Sequence, residues 1–302
     1  MKSNKTYLYL LVFAVLLAAA YFITSDKGEK TSSYELKDKK LFVLDSVKVD
    51  KIEIKSSGGD LVLSKSTGEW KTVSPVDYMA NTELVNKAIS SLKNFNIESI
   101  ISTNPAKKDT YGFNENNQAE ISVYEGGNLK GKFLMGNAAV GTSSYIKKMD
   151  SDNIYITDAL ERTDFVKPDL NEWREKNIVS IPKQSVNSIE FISPEETFTV
   201  SKDASGKYFV GTDSVTNAFD GILNLLENFQ TTNFADTLIN DESAFKNIIN
   251  IDNGNKNQIK FLMIPTTPVK YYVKVEGDKQ IYELEDGAAK NLLKTKKDIT
   301  GK

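Results

Sequence analysis

Val49-Asp50-Lys51-Ile52-Glu53-Ile54 returns later in the chain as Val186-Asn187-Ser188-Ile189-Glu190-Phe191. Leu61-Val62-Leu63-Ser64-Lys65 returns as Phe198-Thr199-Val200-Ser201-Lys202, and Gly68-Glu69-Trp70 as Gly206-Lys207-Tyr208. Apolar residues alternate with polar ones in each copy, which predicts strands with one buried face. Ser57-Gly58-Gly59-Asp60 supplies turn chemistry between the first two. Amphipathic helices are expected after both copies, one capped by Asn81 and ending in Leu92-Lys93-Asn94-Phe95, the other capped by Ser214 and ending in Leu226-Glu227-Asn228-Phe229. Two copies of one pattern imply two copies of one structural unit.

Beyond each helix the chain returns to strand patterning. In the first copy the expected strands are Ala119–Tyr124, Lys132–Met135, Ser144–Lys148 and Ile154–Ile156, with Gly126-Gly127-Asn128 as a hairpin turn. Thr157 is expected to cap a short helix carrying Leu160 and Phe165. In the second copy Ala244–Ile249 reads as a short helix, Asn257–Ile264 and Val269–Val275 as strands, and Asp286 as the cap of a last helix. The fold class is therefore α+β: an N-terminal transmembrane helix, then two tandem repeats of mainly antiparallel sheet covered by helices.

The expected organisation is an anchor over residues 1–25, a polar linker over 26–40, a first repeat over 41–182 and a second over 183–302. Lys2 and Lys5 precede an uncharged run from Thr6 to Ser25 that is almost wholly apolar between Tyr7 and Ile23. At ~1.5 Å per residue that run spans about 30 Å, the thickness of a bilayer core. Tyr7, Tyr9 and Tyr21 lie near its ends, where aromatic rings favour the interface. Ala18-Ala19-Ala20 offers a competing signal-peptidase site, but the run exceeds the roughly 7–15 apolar residues of a signal peptide. The expected localisation is the bacterial inner (cytoplasmic) membrane, crossed once, with the C-terminal body exported.

Composition narrows the chemistry. Among 302 residues there are 38 basic and 41 acidic side chains, no histidine and no cysteine. Disulfides, thiolate nucleophiles, histidine-based triads and histidine-ligated metals are all excluded. No basic stripe argues for nucleic acid. Gly136-Asn137-Ala138-Ala139-Val140-Gly141 has the glycines of a phosphate loop without its Lys-Ser/Thr ending. Asp150-Ser151-Asp152-Asn153 and Asp252-Asn253-Gly254-Asn255 are oxygen-rich but lack the spacing of a calcium loop, and read as turns. Glu195-Glu196 and Asp241-Glu242 are the pairs able to supply an acid and a base for glycoside hydrolysis. Surface carboxylates are the plainer reading of both. Trp173 is expected to close the core between the repeats, with Trp173-Arg174 as an alternative partner contact. No residue is assigned as catalytic, cofactor-binding or metal-ligating, and no cofactor is expected.

Several pieces resemble domain-of-unknown-function family 4340. They are Val49–Ile54, Gly68-Glu69-Trp70 with Pro75, Tyr111-Gly112-Phe113, Ile154-Tyr155-Ile156 and Trp173-Arg174-Glu175-Lys176. The family is uncharacterised and often encoded beside gliding-type ABC transporter components. The resemblance implies no active site. It implies an accessory role with transporter subunits as protein partners. The reading is thus a membrane-anchored, non-catalytic binding or scaffold protein. The alternatives are a carboxylate-dependent hydrolase of envelope glycans and a purely structural envelope protein.

Overall fold

The structure, a computed structural model, describes residues 12–17, 39–237, 239 and 241–302. Residues 12–17 are helical. The rest of the expected anchor lies outside the described residues, among which no helix is long and apolar enough to cross a membrane.

The first unit contains β1 (Val49–Ser56), β2 (Gly59–Ser66), β3 (Glu69–Ser74), β4 (Tyr78–Met79), α1 (Thr82–Asn94) and β5 (Asn96–Ser102). It continues with β6 (Ala119–Glu125), β7 (Asn128–Ala138), β8 (Ser144–Lys147) and β9 (Ile154–Asp158). A short strand, β10 (Asn177–Val179), leads into the second unit. That unit contains β11 (Ser188–Ile192), β12 (Thr197–Lys202), β13 (Tyr208–Val210), β14 (Asp213–Ser214), α2 (Asn217–Glu227), β15 (Phe229–Gln230) and β16 (Asn233–Phe234). It ends with β17 (Asn247–Asp252), β18 (Lys256–Ile264), β19 (Lys270–Val275), β20 (Ile281–Glu285), α3 (Asp286–Leu292) and α4 (Lys296–Thr300).

Among the described residues the strands form two nine-stranded antiparallel sheets of one topology. The orders are β4-β3-β2-β1-β6-β7-β8-β9-β5 and β14-β13-β12-β11-β17-β18-β19-β20-β16. Each chain path meanders to one edge, crosses on a helix to the other edge, and re-enters at the centre. Register makes the copies comparable residue by residue. Ile52 faces Leu63 and Val123, while Ile189 faces Val200 and Ile251. Trp70 lies opposite Lys65, and Tyr208 opposite Lys202. Tyr155 faces Ile146 and Ile100, and Tyr282 faces Val273 and Phe234. The helices follow the same rule: α1 buries Val85, Ala88, Ile89 and Leu92, and α2 buries Phe219, Ile222, Leu223 and Leu226. Both sets have the i, i+3, i+4, i+7 spacing of a single apolar stripe.

The two sheets enclose separate apolar cores, one containing Ile52, Leu63, Leu92 and Trp173, the other Ile189, Val200, Leu226 and Ile299. Trp173 is fully buried within the first core, so it does not fill a core between the repeats as expected. Ile178 and Ile181 already belong to the second core. The chain crosses from one core to the other between Trp173 and Ile178.

Other expectations need correction. Thr157 caps no helix. It lies in β9, fully buried, and its hydroxyl donates to the Ser144 carbonyl at 3.0 Å. Ala244–Ile249 is not helical: residues 242–244 form one 3-10 turn, and Ile248, Ile249 and Ile251 enter β17. Alternate burial on a central strand accommodates this β-branched run better than a helix does. The cap of α2 is Thr216, which accepts the Ala218 amide at 3.3 Å, because Ser214 is held in β14. Asp286 is the first residue of α3 and not its cap. The short helix α4 carries its own capping box, Thr295 with Asp298.

The segment before β1 is docked. Ile97 donates its amide to the Lys39 carbonyl at 2.7 Å. The Lys40 ammonium donates to the carbonyls of Lys93, Asn94 and Phe95 at 3.1, 2.9 and 2.7 Å, closing the C-terminal end of α1. Phe42 then packs edge-on against Phe95 at 5.8 Å, over Gly131, where any side chain would collide with its ring.

Candidate functional site

The sequence candidates separate into turns and one cleft. Gly136 lies inside β7, where its missing side chain admits the Tyr111 carbonyl and its own carbonyl accepts from Arg162 at 2.7 Å. A strand follows it, not a helix, so no phosphate cradle forms. Asp152 pairs with Lys147 at 3.0 Å, and Asp252 accepts the Gly254 amide at 2.9 Å. Among the described residues no three acidic side chains gather as a metal site would require. Asp241 caps a 3-10 turn, and Glu242 is held by Lys260 at 3.1 Å and by Lys274. Glu195 and Glu196 form the tip of the β11–β12 hairpin and line a cleft of about 210 Å³. Glu196 accepts the Lys296 amide at 2.9 Å across that cleft.

The densest polar constellation lies where the repeats meet, around Arg174. The 3-10 turn Leu170–Trp173 is capped by Asp169, and its end is held against the first sheet. Asn81 donates to the Trp173 carbonyl at 2.7 Å, and Glu175 to the Met79 carbonyl at 2.8 Å. This fixes the backbone of Arg174 and aims its side chain at the second repeat. The guanidinium lies between the rings of Tyr78, at 3.9 Å, and Phe234, at 4.0 Å, one from each repeat. Nε donates to Gln280 Oε1 at 3.2 Å, and Nη1 donates to Asn171 Oδ1 at 2.9 Å and Asp236 Oδ1 at 2.8 Å. Nη2 is buried without a hydrogen-bond partner, as is the Trp173 indole N–H.

Arg174 is 3% exposed and Gln280 fully buried, while the Asp236 carboxylate at the rim is 54% exposed, so the joint is buried at its centre and open at one edge. Gln280 also donates to the Glu175 carbonyl at 3.0 Å. Beside it the Tyr282 hydroxyl lies 3.1 Å from the Asn177 carbonyl and 3.0 Å from the Asp278 carboxylate. Burial, and then the Asp278 charge, push the Tyr282 hydroxyl far above the usual tyrosine range. Tyr78 is pushed up by burial and by Asp236. The two-stranded β10–β15 ladder and the exposed Lys279–Asp77 pair, at 3.7 Å, complete the junction.

A planar cation between two rings, with a carboxylate and two amides at its edge, binds strongly and resists lysine substitution. Here its partners are the protein's own side chains from both repeats. The arrangement joins the two repeats. The motif Trp173-Arg174 drew attention in the sequence, but Tyr78, Phe234, Asp236 and Gln280 did not. One signal was available: the chain has only two arginines among its 38 basic residues. Both are clamps, since Arg162 donates to the carbonyls of Met135, Gly136 and Asn117.

A family model described as "Domain of unknown function (DUF4340)" matches residues 70–247. The chain belongs to this family. The match takes in part of each repeat and contains Arg174 with four of its partners, Tyr78, Asn171, Phe234 and Asp236. No curated protein and no solved structure matches the chain.

Proposed function

We propose that this protein is a membrane-anchored, outward-facing, non-catalytic binding or scaffold protein, an accessory component of an ABC-type transport system at the cytoplasmic membrane. The observation that carries the reading is the junction. Arg174 and its partners fasten two sheets into one platform, and a preformed platform loses little entropy on meeting a partner. The docked segment 39–44 supports it, because a tether entering there is attached to the body by hydrogen bonds and ring packing. The apolar run Tyr7–Ile23 supplies the tether. Confinement beside the bilayer raises the effective concentration toward a membrane partner.

The test is cross-linking of the intact protein in native membranes against a version truncated after Ser25 and exported in soluble form. The expected result is cross-linking to transporter subunits by the anchored form only. Full biological function of the truncated form, with nothing cross-linked to the anchored one, overturns the reading. N-terminal sequencing of the membrane-extracted protein checks the anchor, and a mature terminus near Tyr21 would refute it.

One observation favours the hydrolase alternative: Glu195 and Glu196 line a cleft. Release of reducing sugar from envelope glycan by the intact protein, abolished in Glu195→Gln with Glu196→Gln, would move that reading ahead.

A further inference from the structure

The cleft of the second repeat has a floor of aromatic and aliphatic side chains. Phe191 and Phe198 stack at 5.0 Å with their planes 14° apart, Tyr271 and Leu293 lie beside them, and Ser193, Asn247 and Thr295 are among the polar groups of the wall. In the first repeat the corresponding hairpin tip is covered. Register places Gly59 where the second repeat has Glu196, and the serines match: Ser56 donates to the Gly59 carbonyl and Ser193 to the Glu196 carbonyl. A Cβ on Gly59 would lie 3.1 Å from Leu170 Cδ1, so that tip is packed beneath a leucine. The second copy carries a glutamate there, and space remains beside it.

The rim charges are divided. Lys290 is engaged by Asp286 at 2.7 Å, and Glu196 by the Lys296 amide. Lys294, half-buried, and Glu195, exposed, make no ion pair among the described residues. One cation and one anion without a contact ion pair therefore line a hollow of mixed polar and apolar walls, Lys294 also lying within electrostatic reach of Asp298. At about 210 Å³ the cleft is smaller than the roughly 300–1,000 Å³ that suits drug-sized ligands or sugar chains. We propose that it binds a small apolar zwitterion of the α-amino-acid type. The side chain lies against Phe191, Phe198 and Tyr271, the carboxylate meets Lys294, and the ammonium meets Glu195. This goes beyond the scaffold reading and does not depend on it.

The experiment is calorimetric titration of the full-length protein with L-phenylalanine, L-leucine and L-isoleucine, using phenylacetate and phenethylamine as single-charge controls. The expected result is saturable one-to-one binding of at least one amino acid, with the single-charge controls weaker. Lys294→Gln and Glu195→Gln should each weaken binding about two- to five-fold, the size appropriate to exposed charge contacts. Both positions are surface charges, so melting curves of the variants should match the parent and exclude misfolding. No saturable binding by any of the three amino acids up to about 10 mM overturns the proposal. So does equal binding by the single-charge controls, or unchanged affinity in both variants.

Discussion

Arg174 shows how one side chain settles a relation that no local pattern encodes. Its guanidinium is planar, and its ring partners come from different repeats, so only a flat cation fills the gap between Tyr78 and Phe234. Arg174→Lys should therefore destabilise the protein by about 2–4 kcal/mol, read from urea unfolding, since charged hydrogen bonds to Gln280 and Asn171 are lost at a buried position. An unchanged midpoint would show that the joint contributes nothing. Tyr282 adds a pH dependence. Its folded-state pKa is raised by burial and then by Asp278, so the neutral form is favoured on folding. The associated stability is fully present below the unfolded-state value of about 10 and is lost as pH rises above it. Tyr282→Phe should flatten the decline in stability between about pH 9 and pH 11, measured as unfolding free energy against pH. An identical slope in the variant would assign the decline to other groups.

At the scale of elements, the segment 39–44 behaves as part of the first repeat although its sequence is polar at the start. Lys40 closes the last turn of α1 through three carbonyls, opposite in sign to the helix terminus. Lys40→Met keeps the aliphatic stem and removes the donor. The expected outcome is a loss of about 0.3–1 kcal/mol, with faster amide exchange at Asn94, Phe95 and Ile97. Protection at Ile97 that stays at the parent level would mean the segment is held by Phe42 alone. Helix α4 makes a parallel case. It has five residues, so its survival rests on the Thr295–Asp298 capping box and on Ile299, which is fully buried. Asp298→Ala should cost about 0.5–2 kcal/mol, seen as a lower thermal midpoint, and Asp298→Asn should recover much of it.

Among the described residues, two cores are joined through the buried Arg174 cluster, the β10–β15 ladder and the Lys279–Asp77 pair. Such a design couples the repeats through few groups, so cooperativity should be sensitive to them. The parent should unfold in one transition. Arg174→Met should split it into two, because each repeat keeps its own core while the joint loses its cation. Calorimetry reads this directly, and a single sharp transition in the variant would place the coupling in the β10–β15 ladder instead.

The repeat was legible in Val49–Ile54 and Val186–Phe191 because burial on one face of a strand or helix imposes a spacing, and spacing is a local property. The same logic exposed both hairpins, the stripes of α1 and α2, and the Gly126-Gly127 turn, whose positive φ values suit the two-residue hairpin between β6 and β7. Locality also explains the errors. Ile248 and Ile249 carry no period over so few residues, and Thr157 has the chemistry of a cap until β8 comes alongside to claim its hydroxyl. The absence of histidine and cysteine, read from composition alone, removed whole classes of chemistry. The ring sandwich of Arg174 and the cleft beside Glu196 were decided only by tertiary structure. Tyr78, Phe234 and Gln280 are distant in sequence, and each is unremarkable alone. Contacts of that separation depend on how two finished sheets are placed against each other, and no spacing within the chain records it.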